Sequence, residues 1–347
     1  MSSLTIALAS LGGVVLAGVV AHGAWSARRA GPRQASAALA RDEQREPVLD
    51  DPEAVDSVAE PDDTVPALRP ARRAPPRLDA LIDALATLTL ESPASGDMVQ
   101  GHLPATRRVG SKVFMIEGMN AESGDWETPV AGERYSEFQA GVQLANRTGA
   151  LNEIEYSEFV QRVQAFADAT AALADIPDML EAMARARELD AFAGQSDAQL
   201  AVRLHARSAA WSVGYIQQHA RRHGFVAGVV PGRLIYPSRE EGGPPVLTLT
   251  FDSQAALADQ PDVAAVRDVT LSFDVPQTDP AAEPFVAWQA SAQALAVGMD
   301  ADVIDDNGRP LSAEGFVAIG NELGKLYDGL AARDLAAGSA AARRLFS

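Results

Sequence analysis

The sequence predicts an α+β protein held at a membrane: a single N-terminal transmembrane helix, a disordered acidic linker, and a folded body of mixed strands and helices. Three observations carry this. Leu4–Trp25 contains no formal charge. Residues 28–77 are rich in Pro, Asp and Glu and poor in large apolar side chains. Beyond residue 77, apolar residues recur with period two in some segments and with helical spacing in others.

The anchor is placed at residues 1–27. A run of 22 uncharged residues at about 1.5 Å per residue crosses a hydrocarbon core of roughly 30 Å. Arg28, Arg29 and Arg33 follow it, so the positive-inside rule puts them in the cytoplasm and the short N-terminus outside. A cleaved signal peptide would carry its positive charge before the apolar run. Gly13 and Ala17 have a small-xxx-small spacing, weak evidence for helix pairing in so Gly/Ala-rich a segment, and His22 reads as an interfacial polar residue. The linker, 28–77, holds ten acidic and two basic residues between Arg41 and Asp63. Pro61, Pro66, Pro70, Pro75 and Pro76 punctuate it, and Arg69, Arg72, Arg73 and Arg77 close it. Such a segment buries too little apolar surface to offset its ordering entropy. As a flexible coil it separates its ends by on the order of 40 Å.

The chain has 29 Lys and Arg against 47 Asp and Glu, a formal net charge of −18. Nearly all of that excess lies beyond residue 77, where 37 acidic residues face 20 basic ones. So acidic a body repels phosphate backbones, which argues against nucleic-acid binding. With no Cys, disulfides, thiolate metal sites and Cys nucleophiles are excluded.

The body divides into halves at 78–195 and 196–331, with 332–347 as a C-terminal tail. In the first half, Leu85–Ser92 reads as a strand, Asp97–Arg108 as a short helix, and Lys112–Gly118, Asp125–Val130 and Glu137–Asn146 as strands. Glu153–Ala174 and Pro177–Phe192 read as helices. In the second half, Gln199–Ala206 alternates Leu200, Val202 and Leu204 against Gln199, Arg203 and His205, a half-buried strand. Trp211–His223 is a helix stopped by Gly224. Phe225–Val230, Arg233–Pro237, Val246–Asp252 and Val269–Pro276 are strands. Pro284–Met299 is a helix with Pro in its first turn, Val303 begins a strand ending in an Asn307–Gly308 turn, and Ser312 caps a closing helix to Leu330. The halves share local patterns. Arg107-Arg108-Val109-Gly110 and Arg221-Arg222-His223-Gly224 each precede a strand, and the segments at Phe159 and Phe285 are similar helices that follow alternating strands. A degenerate internal duplication would account for both, the alternative being chance similarity between Ala-rich helices.

No P-loop, HExxH, GxSxG or EF-hand pattern is present, and no GxGxxG follows a predicted strand. His219 and His223 stand at a metal-ligand spacing, but Arg221 and Arg222 between them oppose a cation, so they read as a solvated helix face. Asp305 and Asp306 sit just before Asn307–Gly308 and read as turn formers. Asp125-Trp126-Glu127 places an aromatic in a loop, either an interaction anchor or a core residue. The sequence predicts no enzyme activity, no catalytic residues, no metal and no cofactor. A tethered acidic body suits a membrane-anchored binding protein.

That plan, and a set of residues in order, resembles the ZipA family, the inner-membrane anchors of the bacterial tubulin homologue FtsZ in cell division. The apolar span ends Val20-Ala21-His22-Gly23-Ala24-Trp25 before basic residues, as in the family. Over 196–331 the match comprises Gly224–Phe225 after the first helix, Val275–Pro276 ending a strand, Ser291–Ala296 within a helix, and the run Val303–Ser312. Residues 78–195 have no counterpart in the short members and read as a diverged copy of the domain that follows.

The resemblance implies an antiparallel sheet with helices on one face, the other face forming an open groove for the C-terminal peptide of FtsZ. Alternation selects its lining. With Leu200, Val202 and Leu204 toward the core, Gln199, Ala201 and Arg203 face out, followed by Val230, Thr248, Thr250, Thr270 and Ser272 on neighbouring strands. A shift of one residue would instead expose Leu247, Leu249 and Phe251. The implied function is anchoring and stabilising the cytokinetic Z-ring at the division site of the bacterial inner membrane. The N-terminus would be periplasmic and the body cytoplasmic, with FtsZ, other divisome proteins and the bilayer around 4–25 as partners. The alternative is a membrane-tethered envelope adaptor with a different protein ligand.

Overall fold

The computed structural model describes residues 78–240, 243–258 and 264–347. The anchor and linker expected at 1–27 and 28–77 lie outside the described residues. Among the described residues no helix is long and apolar enough to cross a membrane. The fold is α+β with antiparallel sheets, and it divides into two units: Ala198–Gly338, and 78–197 together with Ser339–Ser347.

The unit at 78–197 contains β1 (Asp83–Ser95), α1 (Gly96–Gln100), β2 (Arg108–Val109), β3 (Lys112–Asn120), β4 (Trp126–Glu127), β5 (Arg134–Gln143), β6 (Ala145–Asn146), β7 (Gly149–Ala150), α2 (Glu153–Thr170), β8 (Leu173–Asp175) and α3 (Met179–Ser196). Its sheet runs β2-β3-β5-β1-β8, with β4 on β3. Alternation puts Ala84, Ala86 and Leu88 of β1 on the buried face. Aromatic pairs join the sheet to α2: Phe114 meets Phe159 edge-on at 5.9 Å and Phe138 meets Phe166 at 5.3 Å. Helix α2 starts at a reciprocal cap, Asn152 accepting from Ile154 and Glu155 N–H while the Glu155 carboxylate accepts from Asn152 N–H. Lys112 is buried, and its ammonium donates to Asn146 Oδ1, Thr148 Oγ1 and the Gly149 carbonyl at 2.9, 3.3 and 2.7 Å. Three acceptors match its three protons, so the lysine fastens the β6–β7 hairpin.

The Ala198–Gly338 unit contains β9 (Gln199–Ala206), α4 (Val213–Arg222), β10 (Val226–Ala227), β11 (Arg233–Tyr236), β12 (Leu247–Thr250), α5 (Ser253–Ala256), β13 (Asp268–Asp274), α6 (Pro284–Met299), β14 (Ala301–Ile304) and α7 (Ala313–Ala331). The sheet order is β10-β11-β12-β13-β9-β14, every neighbour antiparallel. Val202, Leu204, Leu249, Leu271 and Phe273 point to one face and share a core with α4, α6 and α7. Two buried tryptophans pin the helical layer: Trp211 Nε1 donates to the Met299 carbonyl at 2.9 Å, and Trp288 Nε1 to the Leu271 carbonyl at 3.0 Å. Ser312 caps α7 by accepting from Gly315 N–H.

The segment 332–347, expected as a tail, is folded. Its last helix, α8 (Ala340–Leu345), belongs to the unit at 78–197. Leu345 and Phe346 are fully buried, and Arg344 grips buried Asp83 with both guanidinium nitrogens, at 2.6 and 2.8 Å. Nothing local announces this, because the partners are 261 residues apart.

Other expectations are corrected. Asp97–Arg108 is helical only over α1, since the chain turns at Gly101 and Pro104 cannot extend a helix. The helix expected to reach Ala174 ends at Thr170, where Ala171 turns left-handed (φ 52°) and Leu173–Asp175 pairs with Thr87–Thr89. The strand expected over Phe225–Val230 shrinks to β10, because the chain bends through Gly228–Gly232. Of the strand expected over Asp125–Val130 only β4 forms, and Trp126, also read as a loop aromatic, lies half-buried on it.

Candidate functional site: an open sheet face

The sheet of the Ala198–Gly338 unit has its helices on the Leu204–Leu271 face. The opposite face is made of side chains one position out of phase with that core. Cross-strand pairing sets them in rows. Arg233 lies opposite Thr250, Thr250 opposite Thr270, Thr270 opposite Arg203, and Arg203 opposite Ile304. A second row runs Val226, Ile235, Thr248, Ser272, Ala201. A third holds Asp268, His205 and Asp302. Gln199 closes the face opposite Asp274.

Seven of the eight residues expected to line the groove therefore share this face: Gln199, Ala201, Arg203, Thr248, Thr250, Thr270 and Ser272. Val230 does not. It is exposed in the bend after β10, because Gly228, Pro231 and Gly232 break the period-two run that placed it on a strand. The alternative register is excluded, since Leu247 and Leu249 are fully buried. Among the residues of the face outside the expected lining are Arg233, Ile235 and Val226. The alternation in Arg233-Leu234-Ile235-Tyr236 carries the signal for the first two, as Leu234 is the buried member.

The face is small and polar at its centre and charged at its margins. His205 Nδ1 lies 2.9 Å from Asp268 Oδ1, and Arg207 Nε donates to Asp302 Oδ1 at 2.7 Å. Both contacts are exposed and individually weak. Arg203 differs: among the described residues its side chain has no hydrogen-bond or ion-pair partner. Arg233 is exposed and reaches Thr248 Oγ1 at 3.4 Å. Beyond β14, Asp305 Oδ1 accepts from Arg309 N–H at 2.8 Å and Asn307 N–H at 2.9 Å, and these bonds hold its carboxyl below the usual range. Asp305 is thus a turn former. His219 stacks on Tyr215 at 4.4 Å along α4.

A second concavity lies on the helical side of the same unit. It is a groove of about 330 Å³ lined by Ala198, Leu200, Val275, Ala318, Ile319, Leu323 and Leu326, with Glu322 at its rim. Among the described residues no three His, Asp or Glu side chains are grouped to hold a metal ion. Compared with known proteins, the chain matches no family model, and no curated protein is significantly similar to it in sequence.

Proposed function

We propose that this chain anchors and stabilises the cytokinetic Z-ring at the bacterial inner membrane, binding the C-terminal peptide of FtsZ through the open sheet face. The single observation that carries the reading is that face: an antiparallel sheet whose helices, among the described residues, pack on the Leu204–Leu271 side, its other side carrying Gln199, Ala201, Arg203, Thr248, Thr250 and Thr270 in register, with Ser272 buried between them. The uncharged run Leu4–Trp25, the acidic linker and the ordered residues shared with the ZipA family support the same reading. In it, Leu4–Trp25 spans the membrane, the N-terminus is periplasmic, and the body works in the cytoplasm as a binding module rather than an enzyme.

The unit at 78–197 reads as a diverged copy. In it, α2 comes after β5 and the short β6–β7 hairpin and leads to β8, with β1 paired between β5 and β8. In the Ala198–Gly338 unit, β13, α6 and β14 take the same order around β9. The similar helices at Phe159 and Phe285 fall on equivalent elements.

A weak groove suffices for such an anchor. Polymers present many peptide copies along one membrane, so tethered bodies gain through effective concentration. Co-sedimentation of residues 78–347 with FtsZ polymers, with and without the FtsZ tail, tests the reading. Tail-dependent pelleting is expected, and its absence at several-fold excess refutes it. One observation favours the alternative of a membrane-tethered adaptor for another protein: the open face is Thr- and Arg-lined, while the apolar groove lies on the helical side. Binding through that groove with no dependence on FtsZ would establish the adaptor instead.

A further inference from the structure

We infer that the open face of the Ala198–Gly338 unit reads an extended acidic peptide whose two carboxylates stand four residues apart, one held by Arg203 and the other by Arg233. The inference deepens the proposed function and relies on it for the identity of the peptide, while the charge pattern stands on the face alone.

The unit is acidic, with ten Lys and Arg against seventeen Asp and Glu over 198–338. In such a field basic side chains are expected to find carboxylates, and on this face Arg207 does. Arg203 and Arg233 do not, although they share one cross-strand row. Arginine presents a planar fork that matches a carboxylate with two parallel hydrogen bonds. Two such forks lacking carboxylates on an acidic surface are the charge complement of a ligand that brings its own. Closely spaced phosphates would be repelled by the unit's net charge, whereas two isolated carboxylates are compatible with it.

The spacing follows from the sheet. The row crosses β11, β12, β13 and β9, which makes three inter-strand steps, or about 14 Å between the two arginine positions. An extended peptide rises about 3.3 Å per residue and turns every second side chain to the same side. Residues two apart span about 7 Å, and residues three apart face opposite ways; residues four apart span about 13 Å on one side and fit. Between the arginines, Thr250 and Thr270 are short enough to let the peptide main chain approach and carry hydroxyls for its amides. The adjoining row becomes apolar toward β10, at Ile235 and Val226.

The test is fluorescence anisotropy with the full chain in nanodiscs of uncharged lipid. The probes are labelled FtsZ tail peptide and designed Thr/Val peptides bearing Glu pairs two, three or four residues apart. The four-residue spacing should bind most tightly, and added salt should weaken it. Arg203→Gln and Arg233→Gln should each lower affinity about threefold, and together close to tenfold, the range of partly exposed ion pairs. The double variant Arg203→Glu/Arg233→Glu should bind the four-spaced peptide with Lys in place of Glu, which also establishes that the variant is folded. Equal binding of all spacings, or unchanged affinity in the Gln variants with no binding of the Lys peptide to the Glu variant, overturns the inference. FtsZ tail binding that ignores both arginines sinks the charge pattern and leaves the anchor reading standing. Binding of the four-spaced peptide without the FtsZ tail does the reverse.

Discussion

Replacing Arg344 with Ala should unfasten the unit at 78–197 from its C-terminal segment. Asp83 is fully buried, and Arg344 supplies both of its carboxylate oxygens with a charge-assisted hydrogen bond, at 2.6 and 2.8 Å. The remaining contact, Asp79 N–H to Asp83 Oδ2 at 2.9 Å, cannot compensate for a full charge. Truncating one partner of a buried pair costs about 3–5 kcal/mol because the other charge is left buried alone. The cost should depend on pH. Burial pushes the Asp83 carboxyl above its ordinary value of 3.8, against the opposing pull of Arg344, and loss of the arginine raises it further. A carboxyl with a raised folded value contributes stability that is complete below its unfolded value and is lost as pH rises through the folded one. The deficit of Arg344→Ala relative to the parent should therefore be full at pH 7 and shrink toward pH 4, where Asp83 takes up a proton. The assay is hydrogen exchange of β1 and β5 amides, which reports this unit directly. Adding Asp83→Asn should recover much of the loss at pH 7 by removing the orphaned charge. A loss under about 1 kcal/mol at pH 7, set against the expected range, or a deficit independent of pH, would refute the argument.

Three further outcomes are expected. Trp288→Phe removes the indole donor that reaches the Leu271 carbonyl at 3.0 Å and should cost about 1 kcal/mol in urea unfolding. The Tyr327 hydroxyl is buried without a hydrogen-bond partner among the described residues, and burial pushes it up to about 12. Because that value lies above the unfolded one, its contribution is present below pH 10 and lost as pH rises toward 12; Tyr327→Phe should hold stability within about 1 kcal/mol at pH 7 and flatten the alkaline decline. Gly232 has φ +76°, and an added Cβ would lie 2.6 Å from the Phe251 carbonyl oxygen. Gly232→Ala should destabilise the unit by roughly 1–3 kcal/mol, the cost of a strained backbone position, read as a lower melting temperature, and weaken peptide binding by displacing Arg233.

Where the chemistry is local, the pattern of residues was enough. Pro284 at the first turn and the apolar run to Met299 bound α6, and Ser312 caps α7 as its position before a helical repeat predicts. Leu200, Val202 and Leu204 face the core because period two separates the sides of a strand without reference to anything distant. The same alternation sets the side each groove candidate takes on its own strand, and the pairing of β9, β12 and β13 then brings seven of them to one face. Val230 failed for a local reason that was also visible, the Gly and Pro residues that bend the chain after β10.

The remainder depended on partners far apart in sequence. Strand β8 is three residues of weak pattern, and it exists because Thr87–Thr89 offers it an edge. The last nine residues look like a polar Ala-rich end until Asp83, Gln143 and Arg344 meet. Arg203 and Arg233 are unremarkable singly; only the order β11-β12-β13-β9 sets them in one row. Alternation along a chain specifies which side of a strand is apolar. Which strands become neighbours is chosen by long-range pairing and packing, where loop-closure entropy and burial compete over the whole unit.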